Sequence, residues 1–232
     1  MERKLSRRKI IGWGAAGAAG LLLPLTARAQ TQPIFGVPFA GPPGLATWHV
    51  RQWYGNTRWA YRQRRAIYGQ GQGLHFGVDF FAPCGTPVIA IGDGVVSATD
   101  GPYGSPPHNL VIRHPSGYSS LYGHLRQRPT IAVGTSVKRG DVVATSGVPS
   151  GADCDTRPHC HLEIRTNGTI TTVNPVNLIE ADWANLSLGL TAEGLDFEID
   201  LDNPDRWQDI FDQPNVVFGN ALLNDYNRPW PG

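Results

Sequence analysis

The stretch RPHCHLEIR, from Arg157 to Arg165, sets two histidines one residue apart, and HFGVD, from His75 to Asp79, sets a histidine and an aspartate four apart. In an extended chain the side chains of residues i, i+2 and i+4 share a face. His159 and His161 therefore point one way and Cys160 the other, while His75 and Asp79 point together, with Gly77 leaving open space between them. Imidazole nitrogen and carboxylate oxygen are zinc ligands at roughly 2.0–2.2 Å, and three protein ligands with a fourth position for water mark a catalytic zinc. A third piece is SSLYGHL, where Tyr122 and His124 end a strand on a common face. A histidine beside zinc-polarised water acts as a general base or steadies developing charge. Parity alone leaves His159 and His161 interchangeable between these roles. His49, His108 and His114 have no matched partner on a shared face and read as histidines held by structural hydrogen bonds.

The elements that must position these residues are strands. From Leu74 onward, short β-rich runs recur every ten or so residues with turn signals between them and no helical period. Hairpins are expected around Asp93-Gly94, Pro115-Ser116-Gly117 and Asn167-Gly168, with a tight turn at Arg139-Gly140-Asp141. The pattern predicts an all-β domain, an antiparallel sandwich or barrel with few helices and a groove over the histidines. LDFEIDLDN, beginning at Leu195, alternates apolar and acidic residues and predicts a solvated edge strand with one acidic face. Asp200 and Asp202 lack the further ligands and the turn glycine of a calcium loop.

Charge and composition divide the chain. Residues 1–29 combine a basic start, a short Gly-rich apolar run and Ala27-x-Ala29, the outline of a cleaved export signal, with Arg7-Arg8 in the twin-arginine position. An exported protein, periplasmic or extracellular and in the cell wall, is expected, with Gln30 first and no membrane span thereafter. Residues 30–72 form a Pro/Gly-rich leader that mixes aromatics with five arginines; it is expected to pack its rings on the domain and leave its arginines in solvent. Residues 73–179 carry the chemistry, and 180–232 form an acidic extension with eleven Asp/Glu against two Arg. A net charge of +1 with only a local basic cluster argues against nucleic acid. Of three cysteines at most one internal disulfide can form, and Cys154–Cys160 is the pair nearest in sequence.

Taken together, HFGVDFFAPCGTPVIAIGDGVV, HNLVIRHPSGYSSLYGHL, VGTSVKRGDVVATSGVPSG, RPHCHLEI and VNPVNLI, in that order, resemble the lysostaphin-type zinc metallopeptidases, the LytM-like group of peptidoglycan endopeptidases. The resemblance runs from about Gly73 to Leu178, nearly half the chain. It implies one zinc ion held by His75, Asp79 and His161, with His124 and His159 as catalytic histidines flanking a metal-activated water. It also implies hydrolysis of peptide cross-links of peptidoglycan, falling off at acid pH as the histidines protonate near their ordinary ~6.5. The family usually has an apolar residue where Cys160 stands and often an aromatic at Leu162. Two other readings are a non-catalytic LytM-like module that binds or activates another wall hydrolase, and a closed structural zinc site built from Cys154, Cys160 and a histidine. A leader lying in the groove would make the enzyme latent.

Overall fold

The computed structural model describes residues 32–149, 154, 157–166, 170–187, 193–200 and 202–226. The expected export signal and the Asn167-Gly168 turn lie outside the described residues. No helix among the described residues is long and apolar enough to cross a membrane.

The strands run in chain order β1 His49–Gln52, β2 Val78–Phe81, β3 Pro87–Ile89, β4 Gly94–Thr99, β5 His108–Arg113, β6 Tyr118–Leu125, β7 Ser136–Val137, β8 Val142–Thr145, β9 His159–Thr166, β10 Thr171–Val173 and β11 Val216–Val217. The two α-helices are single turns, α1 Arg58–Arg62 and α2 Trp183–Leu186. The class is all-β and antiparallel, as the spacing of turn signals predicts. One sheet runs β1-β2-β9-β6-β5-β4-β7, with β10 and β11 added alongside β9, and β3 pairs with β8 in a second, small sheet. Strand β9 is the axis of the site: β2 pairs with its first half, β10 with its second, and β6 runs along the other edge.

Alternation divides β9 and its neighbours into two faces. Cys160, Leu162 and Ile164 face the core with Phe80 and Tyr122, all fully buried. Each apolar side chain buried in this way contributes about 1.5–3 kcal/mol. The Tyr122 hydroxyl accepts the Ile91 N–H at 2.9 Å, so this core residue keeps its polar end satisfied. The opposite face carries His159 and His161.

The hairpin at Pro115-Ser116-Gly117 forms as expected, joining β5 to β6 with Gly117 at φ +84°. Strands β9 and β10 also pair across the expected turn. The hairpin at Asp93-Gly94 does not form. Strand β3 pairs with β8 and β4 pairs with β5 and β7, so this stretch bends the chain from the small sheet to the large one. Asp93 holds the bend by accepting from Arg139 N and Lys138 Nζ. The Arg139-Gly140-Asp141 turn is present, closed by Asp141 N donating to Lys138 O, but its flanking strands lie in different sheets.

The acidic edge strand expected from Leu195 is likewise absent: the segment makes one isolated bridge, Thr57 with Phe197. Its acidic face is solvated only in part, at Asp196 and Asp202. Glu198 and Asp200 are buried, Glu198 3.5 Å from Arg58 and Asp200 paired with Arg206. Ion pairing and burial replace the ladder that alternation alone suggests.

The cysteine pairing also differs. Cys84 is bonded to Cys154, 70 residues on, and Cys160 is free and buried in the core. Parity turns Cys160 into the core, out of reach of the loop that carries Cys154. The same arrangement removes the closed zinc site built on Cys154 and Cys160.

The leader packs as expected in its rings: Trp48, Trp53, Tyr54 and Tyr68 are buried. Arg58, Arg62 and Arg65 pair with Asp196, Glu193 and Asp225 of the acidic extension. Arg51 is the exception, and it points into the cleft described next.

Candidate active site

A cleft of about 1530 Å³ opens on the polar face of β9 and is lined by all five residues singled out above: His75, Asp79, His124, His159 and His161. Three of them converge. His75 Nε2 lies 3.2 Å from His161 Nδ1 and 3.3 Å from Asp79 Oδ1, and His161 Nδ1 lies 2.7 Å from Asp79 Oδ1. Zinc with ligands at ~2.0–2.1 Å in a tetrahedron separates its ligand atoms by about 3.3 Å. Two of the three separations match one such ion, the His161–Asp79 pair standing closer, at hydrogen-bond distance, and among the described residues the three atoms form the cluster able to hold a metal.

Backbone contacts set the ring that each histidine offers. His75 is just outside β2, and Gly55 of the leader pins it by a two-way backbone bridge, N to O at 2.7 Å and 2.9 Å. Its Nδ1 donates to Trp53 O at 2.7 Å, which leaves the Nε2 lone pair facing Asp79. His159 Nδ1 donates to Arg157 O at 2.9 Å, leaving Nε2 3.6 Å from Asp79 Oδ2. His124 Nδ1 donates to Pro106 O at 2.5 Å, leaving its Nε2 as the acceptor. The three tautomers follow from carbonyls, since a carbonyl can only accept.

The space expected at Gly77 is occupied. A Cβ there would stand 2.6 Å from His161 Cε1 and 2.7 Å from Leu162 O, so the glycine makes room for the His161 ring itself.

Tyr122 and His124 do not share a face. Tyr122 lies opposite Leu162 in the core, whereas Gly123 lies opposite His161 on the cleft side. His124 has φ +54°, and this left-handed residue breaks the alternation and turns its ring to the cleft, with centroids 4.9 Å from His159 and 5.6 Å from His161. Such a conformation is rare for a side chain with a Cβ, and it occurs where surrounding structure over-determines it. His49, His108 and His114 do serve structural contacts, the last between Asp93 O and Ser120 Oγ at 2.8 Å each.

Two contributors escape the sequence argument. Glu163 is fully buried, with Oε1 3.3 Å from His161 Nε2 and Oε2 accepting from Arg165 Nε at 2.7 Å. The alternation that places His159 and His161 also places Glu163 and Arg165, so the signal is present in HCHLEIR. The other is Arg51, whose Nη1 donates to Arg157 O at 3.2 Å and lies 3.3 Å from His159 Nδ1.

Charge is arranged sharply. Burial alone would raise the Asp79 pKa, but His75, His159 and His161 outweigh it and hold this carboxyl well below its ordinary value. Burial opposes charge on His161, yet bonds to Asp79 and Glu163 push it up to about 9. His124 goes the other way, down to about 3, chiefly by burial and then by His159 and His161. His159 is also lowered, by burial first, with Asp79 and the Arg157 carbonyl opposing.

An antiparallel β domain with a His/His/Asp centre at the base of an open cleft defines the class. Residues 73–175 match the model of Peptidase family M23, and this part of the chain is an M23 peptidase domain. The peptidoglycan DD-endopeptidase ShyC of Vibrio cholerae is 40% identical over 108 residues, 46% of this chain and 24% of that protein. Lysostaphin of Staphylococcus simulans is 33% identical over 120 residues, 51% of this chain and 24% of that protein. The catalytic domain of lysostaphin from Staphylococcus simulans, as a solved structure, aligns at a TM-score of 0.43 and 26% identity, covering 56% of this chain and 90% of that one. The chain spans about a quarter of the length of the two relatives.

Proposed function

We propose that the chain is an exported zinc-dependent endopeptidase that hydrolyses peptide cross-links of peptidoglycan. The observation that carries this is the convergence of His75 Nε2, Asp79 Oδ1 and His161 Nδ1, with His124 and His159 on the same cleft wall. Support for the substrate comes from the similarity to a peptidoglycan endopeptidase.

His75, Asp79 and His161 would hold the ion. Bound zinc supplies Lewis acidity, lowering the pKa of water toward ~7 and polarising a carbonyl oxygen. The chain's own residues handle the proton. His159 Nε2 is the better acceptor, because Asp79 Oδ2 faces it at 3.6 Å and steadies the imidazolium. His124 Nε2 would accept a hydrogen bond and orient the nucleophile from beside His159, the two ring centroids 4.9 Å apart. Glu163 Oε1, 3.3 Å from His161 Nε2, would keep the proton on that inward nitrogen, which frees Nδ1 to ligate.

The test is incubation of the protein with purified cell-wall sacculi, with and without zinc, beside His161→Ala and Cys160→Ala variants. Zinc-dependent peptide release lost with His161→Ala and kept with Cys160→Ala is expected. Zinc binding without release would replace the enzyme by a binding module that acts on another hydrolase.

A further inference from the structure

Strand β1 is irregular where it meets the site. Val50 pairs with Phe80 and Gln52 with Asp79, so Arg51 is an extra residue in a bulge. Bulges re-aim side chains and recur beside active sites. Val50 stays in the core, while Arg51 and Gln52 both line the cleft. Gln52 is engaged there by Tyr68 Oη and Thr57 Oγ1, at 3.2 Å and 3.1 Å.

Arg51 has no such engagement for its charge. The other four arginines of the leader all pair with acids of the extension: Arg58 with Asp196, Arg62 with Glu193, and Arg64 and Arg65 with Asp225. Among the described residues no carboxylate stands within ion-pair distance of Arg51. Among the described residues its hydrogen bond runs from Nη1 to the Arg157 carbonyl, which leaves the Nε–Nη2 edge of the fork available. Arg157 lines the same cleft, is exposed, and also lacks an acidic partner among the described residues. Glu193 lines the cleft too, but Arg62 already neutralises it. Burial disfavours the charge on Arg51 and Asp79 offsets it in part, so an anion in the cleft would complete the compensation.

We propose that Arg51, aided by Arg157, recognises a carboxylate of the bound peptide beside the reacting centre. This rests on the reading of the cleft as a peptide site. A guanidinium fork is shaped for bidentate capture of a carboxylate, and Arg51 shares the Arg157 carbonyl with His159, the residue assigned to the proton, its Nη1 3.3 Å from the imidazole Nδ1. The carboxylate belongs either to the chain terminus of the peptide or to one of its side chains, and the chemistry of recognition is the same.

The test is binding by calorimetry to the zinc-loaded full chain, with ketomethylene isosteres of acetyl-Lys-D-Ala-D-Ala that cannot be cleaved. Three probes are used: the free acid, the terminal amide, and a terminal amide with D-Glu as the last residue. The wild type is expected to bind one of the acidic probes about tenfold to hundredfold more tightly than the neutral amide. Preference for the free acid identifies a terminal carboxylate, and preference for the D-Glu probe a side-chain one. Arg51→Gln is expected to abolish the preference with the neutral probe unaffected, and Arg51→Lys to keep part of it. Arg157→Gln, at an exposed position, gives a second reading should Arg51→Gln fold poorly, and is expected to reduce the preference. No preference in the wild type, no binding of any probe, or an equal loss for all three in Arg51→Gln each overturns the proposal. Intact preference in a protein that releases nothing from sacculi would overturn the endopeptidase reading and leave carboxylate recognition standing.

Discussion

Glu163 stands behind His161 on β9, with Oε1 3.3 Å from Nε2, while Nδ1 of the same ring meets Asp79 at 2.7 Å. One imidazole thus lies between two carboxylates, one in the cleft and one buried beneath it. A carboxylate behind a ligating histidine fixes the tautomer and raises ligand basicity. Glu163→Gln keeps the size and removes the charge. It is expected to weaken zinc about tenfold to hundredfold, measured by competition against a chelator of known affinity. Glu163→Ala leaves Arg165 buried without this partner and is expected to lower stability by about 3–5 kcal/mol, read from urea denaturation. Zinc affinity unchanged in Glu163→Gln would remove the residue from the site.

Gly77 lies under the His161 ring, and a methyl group there would meet the ring at 2.6 Å and the Leu162 carbonyl at 2.7 Å. The carbonyl belongs to the central strand and does not yield easily. Gly77→Ala is expected to displace the ring, to weaken zinc by at least tenfold, and to destabilise the protein by about 1–3 kcal/mol. Isothermal titration with zinc and a thermal melt check the two effects separately.

The Cys84–Cys154 bond closes a loop of sequence separation 70 and anchors the segment leading to Arg157 and His159. Loop-closure entropy sets its stabilisation at about 4 kcal/mol. Cys84→Ser is expected to lower stability by up to that amount, whereas Cys160→Ser is expected to leave the bond intact. Thiol titration of the unreduced wild type should give one thiol, reactive only after denaturation, since Cys160 is buried. Two or more reactive thiols in the folded wild type would contradict the pairing.

His114 contributes to the pH dependence of stability outside the cleft. It is buried between Asp93 O and Ser120 Oγ, and burial is the main cause of its lowered pKa, with Asp93 opposing. Below the unfolded value of ~6.5 the unfolded chain takes up the proton that the folded chain refuses. Its contribution is therefore full above that value and is lost as pH falls, at a slope of at most about 1.4 kcal/mol per pH unit. His114→Gln should show a shallower fall in melting temperature between pH 7.5 and 5.0 than the wild type. Parallel curves would assign the acid sensitivity to other groups.

The low pKa of His124 bears on the rate as well. An acid fall near the ordinary ~6.5 is what unperturbed histidines give, but His124 is pushed down to about 3 and His159 is lowered. A bound cation would lower both further. The acid limb of sacculus hydrolysis is accordingly expected to lie below ~6.5 and to move with zinc concentration, as protons compete for the ligands. A limb at ~6.5 that ignores zinc concentration would refute this ordering.

Much of the fold and centre is legible in the residues. Strand alternation brings His159 and His161 to one face and Cys160 to the other, because β9 is regular over its eight residues. His124 is not legible by that rule, since a positive φ at one residue reverses the face and nothing in YGHL announces it. Arg51 is hidden for a related reason: a bulge adds a residue, and the register that decides its face is set by β2. The tautomer of His75 depends on Trp53 O, 22 residues away and outside the recognisable motifs. Cys84 finds Cys154 across 70 residues, a pairing that sequence proximity misorders.

The two strands that the leader and the acidic extension contribute have a consequence for solubility. Strand β1 covers the outer side of β2, and β11 covers β10, so the backbone donors and acceptors along these rims are already paired. A fragment cut to residues 73–175 would keep the five cleft residues but present raw sheet edges to its neighbours. Unpaired edges template the addition of further strands. Such a fragment should self-associate at concentrations where the whole chain stays dispersed, which makes the flanking segments covers for the sheet edges as well as walls of the cleft.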